Sequence, residues 1–282
     1  MLLALAAGLA LPGCSSEKPQ LFSPNLVGAS GSPLPQSTRL RTIRVPEFLE
    51  GRICKVYLPP GYAPARARYP VLYMHDGQTL WGPSRTDDPT WRLEAILDSL
   101  ILGRFVPPLI VVGIDNADRF HEYQPFPGFG RLQVGGDEYV RSIRDHLKPA
   151  IDRHFATRAD ARHTLIAGAS LGGLISVYAG YAYDEVFGCA AGFSGTYGGR
   201  DFFDFVRVRR PDLTRLYLDA GDDNYYPLLS MRDIAVQQGF VEGEDLMTVH
   251  VPGHAHAPYY WAQRIPEALK FMIGDADPAP LP

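Results

Sequence analysis

The sequence predicts an α/β fold, a mostly parallel central sheet of about eight strands with helices on both faces. Three observations carry this expectation. Apolar strand-like runs alternate with helix-like segments in the order β, β, β, α, β, α, β, α, β, α, β, α. Two of the runs, Leu109 to Ile114 and Phe187 to Phe193, are continuously apolar, as strands covered on both faces are. Between them, Gly168-Ala169-Ser170-Leu171-Gly172 forms a G-x-S-x-G pattern where a strand ends and a helix begins. No internal repeat is visible, and the alternation describes one open domain instead of two modules.

The 282 residues are 46% hydrophobic and carry a net charge of -4. The charges are spread along the chain, which argues against a nucleic-acid surface. Met1 to Leu11 is almost purely apolar but too short to span a membrane as a mature helix. It reads as the core of a secretory signal. Leu11-Pro12-Gly13-Cys14 resembles a bacterial lipobox, with Cys14 as the lipidated residue. The expected layout is a signal and lipobox over 1–14, a Ser/Pro/Gly-rich tether over 15–38, a folded domain over 39–275 and a tail over 276–282. It describes a periplasmic lipoprotein of the bacterial envelope, held to the membrane by lipid alone, with a secreted protein as the alternative. Cys54 and Cys189 lie in apolar strand-like surroundings without metal-ligand spacing. They read as buried free thiols, a disulfide between them being the alternative in an oxidising compartment.

Thr38 to Val45 and Arg52 to Leu58 alternate in polarity, as antiparallel edge strands joined around Pro46 to Gly51 would. Pro70 to His75 is a short apolar strand, with Asp76-Gly77-Gln78 following at once. A helix is expected over Trp91 to Leu102, with Pro89 and Thr90 at its start. Asp115 to Gly135 is too polar for a core element, and its length suggests a loop on the rim of a site. Asp137 to Ile151 has helical periodicity through Tyr139, Val140, Ile143, Leu147 and Ile151. Arg162 to Ala167 reads as a strand and Leu171 to Tyr181 as a buried helix. Thr196 to Arg209 has room for a loop or one short helix. The remaining elements are a strand over Arg215 to Ala220, a helix over Leu228 to Gln238 and a strand over Leu246 to Val251. In that helix Leu229, Ile234, Ala235 and Val236 form the apolar face. Tyr259 to Ile273 closes the chain as a helix.

Functional residues of a doubly wound sheet gather at the carboxyl ends of its strands. The candidates there are His75 and Asp76, Asp115 and Asn116, Ser170, Ser194, Asp222 and Asp223, and His254 and His256. Their chain order supplies Ser, then Asp, then His, the order of a hydrolase of this fold class. A serine hydroxyl is a poor nucleophile until a histidine accepts its proton, and an acid fixes the tautomer of that histidine. The plainer alternative is a structural serine in a tight β–α turn. Asp219, inside its strand, is read as structural.

These residues resemble the esterase D-like branch of the α/β-hydrolases, which includes feruloyl, acetylxylan and enterochelin esterases, S-formylglutathione hydrolases and mycolyltransferases. The resemblance covers about Arg39 to Ile273. It rests on His75-Asp76-Gly77-Gln78, on Gly113-Ile114-Asp115-Asn116 with Arg119 and Glu122-Tyr123, and on Gly168 to Gly173. It rests also on His256, Trp261, Arg264 and Pro266-Glu267-Ala268-Leu269. The resemblance implies an α/β-hydrolase fold and a serine esterase working through an acyl-enzyme. It selects His256 as general base, because His256 stands five residues before Trp261. His254 departs from a glycine of the pattern and is left as pocket rim or packing. Many relatives carry the acid where Asn224 stands; Asp223-Asn224-Tyr225 resembles the other arrangement, so Asp223 is preferred, with Asp222 as the alternative acid.

The oxyanion needs two N–H donors: Leu171 should supply one, and Gly77 or Gln78 the other. Trp81, Tyr197, Tyr225, Tyr226 and Trp261 are candidate pocket residues. Asp115, Asn116, Arg119 and Glu122 are read as an internal salt-bridge network in preference to a metal or carbohydrate site, and no cofactor or metal is expected. The expected partner is a small ester, carbohydrate-linked or siderophore-like. An acyltransferase with a sugar or lipid acceptor, and a non-catalytic carbohydrate-binding protein on a hydrolase fold, are the alternatives.

Overall fold

The computed structural model describes residues 39–84, 89–128, 133–208 and 210–274. Cys14, the expected 1–14 and 15–38 segments and the 276–282 tail lie outside these residues. Eight strands form one sheet: β1 (Leu40–Arg44), β2 (Ile53–Tyr57), β3 (Val71–His75), β4 (Ile110–Ile114), β5 (Thr164–Ala169), β6 (Cys189–Phe193), β7 (Arg215–Ala220) and β8 (Leu246–His250). Their spatial order is β1-β2-β4-β3-β5-β6-β7-β8. β1 and β2 pair antiparallel, as does β2 with β4, and every pairing from β4 across to β8 is parallel.

Side chains alternate across a strand, so each central strand feeds two cores. Val71 and Tyr73 of β3 enter one core, while Leu72 and Met74 enter the other. Helices α1 (Leu93–Leu102) and α8 (Pro258–Ile273) cover the second face through Leu93, Leu97, Ile265 and Leu269. The first face carries α3 (Gly136–Ser142), α4 (Lys148–His154), α5 (Leu171–Ala182), α6 (Arg200–Arg207) and α7 (Tyr225–Gln237). Burying one such aliphatic side chain contributes about 1.5–3 kcal/mol. Helix α5, directly after the G-x-S-x-G turn, is buried from Leu171 to Tyr181; a helix enclosed all round needs no polar stripe. No described helix is long and apolar enough to cross a membrane. Cys54 and Cys189 are free and buried, and burial pushes both thiols up to about 12.

Several elements differ in detail from the sequence expectation. Helix α1 begins at Leu93 without a side-chain cap, behind a left-handed Arg92; Thr90 Oγ1 donates instead to the Gly82 carbonyl at 2.9 Å. The segment from Asp115 to Gly135 contains a short helix α2 (Arg119–Glu122), started by Asp118, whose carboxylate accepts from His121 N. The helical run expected over Asp137 to Ile151 extends from Gly136 to His154 and carries a π-helical turn at Ile143–Leu147. In α7 the buried positions are Leu228, Met231, Ile234 and Ala235, whereas Val236 is exposed. The helix starts three residues earlier than expected, at Tyr225, and its inward stripe runs through Leu228 and Met231.

Candidate active site

Ser170 sits between β5 and α5 with φ 59° and ψ -121°. A non-glycine residue held there costs about 1–3 kcal/mol. Three backbone bonds enforce the turn: Ser170 N donates to Phe193 O at 2.9 Å, and Leu174 N and Thr196 N donate to Ser170 O at 3.0 and 3.1 Å. A Cβ on Gly168 would lie 2.8 Å from the backbone of Gly172. The glycines thus allow strand and helix to meet closely enough for so sharp a turn. Leu171 occupies the first position of α5, where an N–H has no intrahelical acceptor. The Ser170 hydroxyl is hydrogen-bonded to Thr196 Oγ1 at 3.1 Å. It makes no hydrogen bond to His256.

The exits of β7 and β8 bring the expected base and acids together. His256 Nδ1 is paired with an Asp223 carboxylate oxygen. Asp222 faces elsewhere: Oδ2 accepts from Gly253 N at 2.9 Å, and Oδ1 lies 3.8 Å from His250 Nε2. The Trp261 and His256 rings meet edge to face, centroids 5.0 Å apart. Asn224 Nδ2 donates to Ser194 O at 2.6 Å, tying this loop to the exit of β6. Beneath it lies a buried ion pair, Arg264 Nη2 to Asp219 Oδ1 at 2.9 Å, with the same nitrogen donating to Ser194 Oγ at 2.8 Å. Burial pushes the Asp219 carboxyl up, opposed by Arg264. His254 is buried against Arg264 and Tyr260; burial, then the Arg264 charge, hold its imidazole below the ordinary value.

At the exit of β3, Asp76 is left-handed at φ 57° and starts a 3-10 turn over Gly77–Thr79. The N–H groups of Gly77 and Gln78 therefore also lack intrahelical acceptors. A Cβ on Gly77 would fall 2.6 Å from both Asp115 Oδ1 and the Gly113 carbonyl carbon, so only glycine fits without displacing β4. The network expected around Asp115, Asn116, Arg119 and Glu122 forms with other partners. Arg119 and Asn116 bind Asp76, Asn116 Nδ2 donating to Oδ1 at 2.7 Å. Glu122 accepts two hydrogen bonds from Arg52, at 2.6 and 2.7 Å. Asp115 Oδ1 is buried without a hydrogen bond. Behind the turn, the buried His75 contacts Tyr139 Oη through Nδ1 at 2.8 Å, and burial followed by the Arg119 charge holds its imidazole down to about 3. Among the described residues, no group of three or more His, Cys, Asp or Glu is placed to hold a metal ion.

A cleft of about 420 Å³ opens beside Thr196, the hydrogen-bond partner of Ser170, with walls formed by Phe126, Leu174, Tyr197 and Phe202 and with Arg200 and Asp201 among its polar residues. Of the expected pocket residues, Tyr197 lines this cleft. Trp81 does not: it is buried against Tyr57, ring centroids 6.5 Å apart. Trp261 packs between His256 and Trp91. Tyr225 packs against His250 and Tyr226 points into solvent, 79% exposed. The aromatic residues nearest in sequence to Asp223 and His256 are therefore occupied by packing or turned outward. The cleft walls come instead from the loops after α2 and β6, together with Leu174 of α5 and the start of α6. The loop lengths signalled a rim, but no local pattern singled out Phe126, Thr196 or Phe202.

The family model described as "Putative esterase" matches residues 50–272. The uncharacterized protein YbbA of Bacillus subtilis strain 168 is 24% identical over 241 residues, 78% of this chain and 91% of that protein. An endo-1,4-beta-xylanase/feruloyl esterase of Xylanibacter ruminicola is 33% identical over 141 residues, 47% of this chain and 18% of that protein. Among solved structures, the enterobactin esterase FES of Shigella flexneri aligns with a TM-score of 0.66 at 21% identity, over 86% of this chain and 63% of that one. At that identity the likeness is one of fold. The chain spans less than two thirds of the last two proteins.

Proposed function

Because this chain belongs to the esterase family of the α/β-hydrolases, we propose that its carboxylic ester hydrolysis runs through Ser170, His256 and Asp223. One observation carries this assignment. The strained Ser170 turn at the end of β5 and the His256–Asp223 pair at the ends of β8 and β7 stand on the same carboxyl edge of the sheet. Asp223 is favoured over Asp222 because it holds His256 Nδ1, while Asp222 is engaged by Gly253.

The reaction begins when Ser170 Oγ exchanges its bond to Thr196 for one to His256 Nε2. The imidazole takes the hydroxyl proton as Oγ attacks the ester carbonyl carbon, and Asp223 stabilises the imidazolium that results. The tetrahedral oxyanion accepts hydrogen bonds from Leu171 N and from Gly77 or Gln78 N, donors that water need not reorganise to supply. His256 then protonates the leaving alkoxide as the ester C–O bond breaks. Water, deprotonated by His256, attacks the acyl-serine carbonyl; as the carbonyl carbon–Oγ bond breaks, His256 returns the proton to Ser170 Oγ and the carboxylic acid leaves.

The aromatic cleft beside Thr196 fits a flat, largely apolar acyl group, and the polar rim at Arg200 and Asp201 fits a substituted one. The family members named for feruloyl and enterobactin esters support the same small-ester class. Aryl esters of increasing acyl length, together with feruloyl and acetyl sugars, test it. The purified chain should hydrolyse such esters and react with a fluorophosphonate, and Ser170→Ala should abolish both while keeping the melting temperature. Labelling that persists in Ser170→Ala refutes the nucleophile. Placement in the bacterial envelope is supported by the apolar run and Leu11-Pro12-Gly13-Cys14; incorporation of labelled palmitate, lost in Cys14→Ala, is the expected result.

A further inference from the structure

The two oxyanion donors belong to different strand exits, Gly77 or Gln78 after β3 and Leu171 after β5. These strands are parallel neighbours, and their ladder runs from Val71↔Thr164 to Met74↔Ala167. Beyond it they part. His75 pairs with Ile114 of β4, while Gly168 and Ala169 pair with Gly192 and Phe193 of β6. The main-chain ladder therefore does not fix the separation of the two donor turns.

The Arg119 side chain crosses that gap. Its Nε donates to Asp76 Oδ1 at 2.9 Å and its Nη2 to Asp76 Oδ2 at 3.1 Å; Nη2 also donates to the Ala169 carbonyl at 2.9 Å. Asp76 immediately precedes Gly77, and Ala169 immediately precedes Ser170. We propose that Arg119 is a positioning residue of the oxyanion hole, its guanidinium bracing the β3 turn against the β5 elbow so that both N–H groups face one oxygen. The inference rests on the esterase assignment above.

The chemistry of the side chain suits the task. A planar guanidinium can bind a carboxylate in two places and still reach a carbonyl, which a lysine ammonium cannot do in a fixed geometry. Asp76 is held from its other sides by Asn116 and by Tyr123, whose hydroxyl accepts from Asp76 N at 3.0 Å. Those bonds anchor the turn to β4 and to the α2 segment. The link to Ala169 is the bond that reaches β5. The Arg119 side chain is 29% exposed, so a small cation can enter its place.

The test compares wild type with Arg119→Met and Arg119→Lys, using a 4-nitrophenyl ester and an aryl boronic acid that forms a tetrahedral adduct at Ser170. Misplacing a donor should lower kcat about 10- to 100-fold in Arg119→Met, with KM within about threefold. Boronate affinity should fall along with kcat, and Arg119→Lys should fall between the two. Added guanidinium should restore part of the rate of Arg119→Ala. A merely structural arginine would alter melting temperature without moving boronate affinity in folded protein. An Arg119→Met enzyme with wild-type kcat and boronate affinity overturns the proposal. If Arg119→Met does not fold, wild-type values in Arg119→Lys overturn it equally. Wild type that neither hydrolyses any ester nor takes up a fluorophosphonate overturns the esterase assignment first and this inference with it.

Discussion

The buried imidazole of His75 should make the fold sensitive to mild acid, and the size of the effect follows from its surroundings. His75 is 1% exposed, and its Nε2 is buried without a hydrogen bond. Burial, then the positive charge of Arg119, depress its pKa from 6.5 to about 3. In the unfolded chain the imidazole titrates near its ordinary value, so between these limits the unfolded state binds a proton that the folded state refuses. Stability is therefore fully present above about pH 6.5 and falls as the pH drops toward about 3. At about 1.36 kcal/mol per unit, the loss is about 2 kcal/mol by about pH 5 and about 5 kcal/mol in full. Set against a typical total of about 5–15 kcal/mol, even the smaller figure is easily measured. His75→Asn keeps a polar atom near Nδ1, facing Tyr139, and does not titrate. Urea unfolding of both proteins at several pH values between 7.5 and 5, followed by circular dichroism, isolates His75, because the other groups act in both. Wild type should lose about 2 kcal/mol more than the variant over that interval. Parallel curves would refute the reasoning, since they would mean that His75 takes up its proton without unfolding.

Other expectations concern the site and its support. Asp223→Asn should lower kcat on the order of 10²–10⁴-fold through loss of the correct His256 tautomer, whereas Asp222→Asn should cost less than about tenfold; steady-state kinetics showing the reverse order would exchange their roles. Gly77→Ala places a methyl group within 2.6 Å of the Gly113 backbone, so the turn must move. Its kcat should fall at least about tenfold, and an unchanged rate would remove this turn from the oxyanion hole. Arg264→Met strands the buried Asp219 carboxylate and should destabilise by about 3–5 kcal/mol in denaturant titration. The double variant Arg264→Met, Asp219→Leu should recover much of that loss, and a further loss instead would show that the pair itself is net stabilising.

The order of the elements, the two-faced sheet and the serine elbow were all legible in the chain before folding, because each depends on local periodicity or on glycines within a few residues. The runs around Ile110–Ile114 and Cys189–Phe193 are apolar at both faces, and a strand of that kind has few places other than the middle of a covered sheet. That Ser170, Asp223 and His256 follow the ends of β5, β7 and β8 was legible for the same reason. The choice between Asp222 and Asp223 was not, since adjacent residues share every local signal; the proposal of Asp223 rests on its contact with His256, Asp222 meeting Gly253 instead. Nearness in sequence does not say whether a ring faces a cleft or a neighbouring ring: Trp81 packs on Tyr57, Tyr225 on His250 and Trp261 on His256 and Trp91. The cleft of Phe126, Thr196 and Phe202, and the span of Arg119 from Asp76 to Ala169, join segments that are distant along the chain. They emerge on folding, because contacts across such separations are set by how the strands pack and where their ladders end, a property of the assembled sheet that no single stretch encodes.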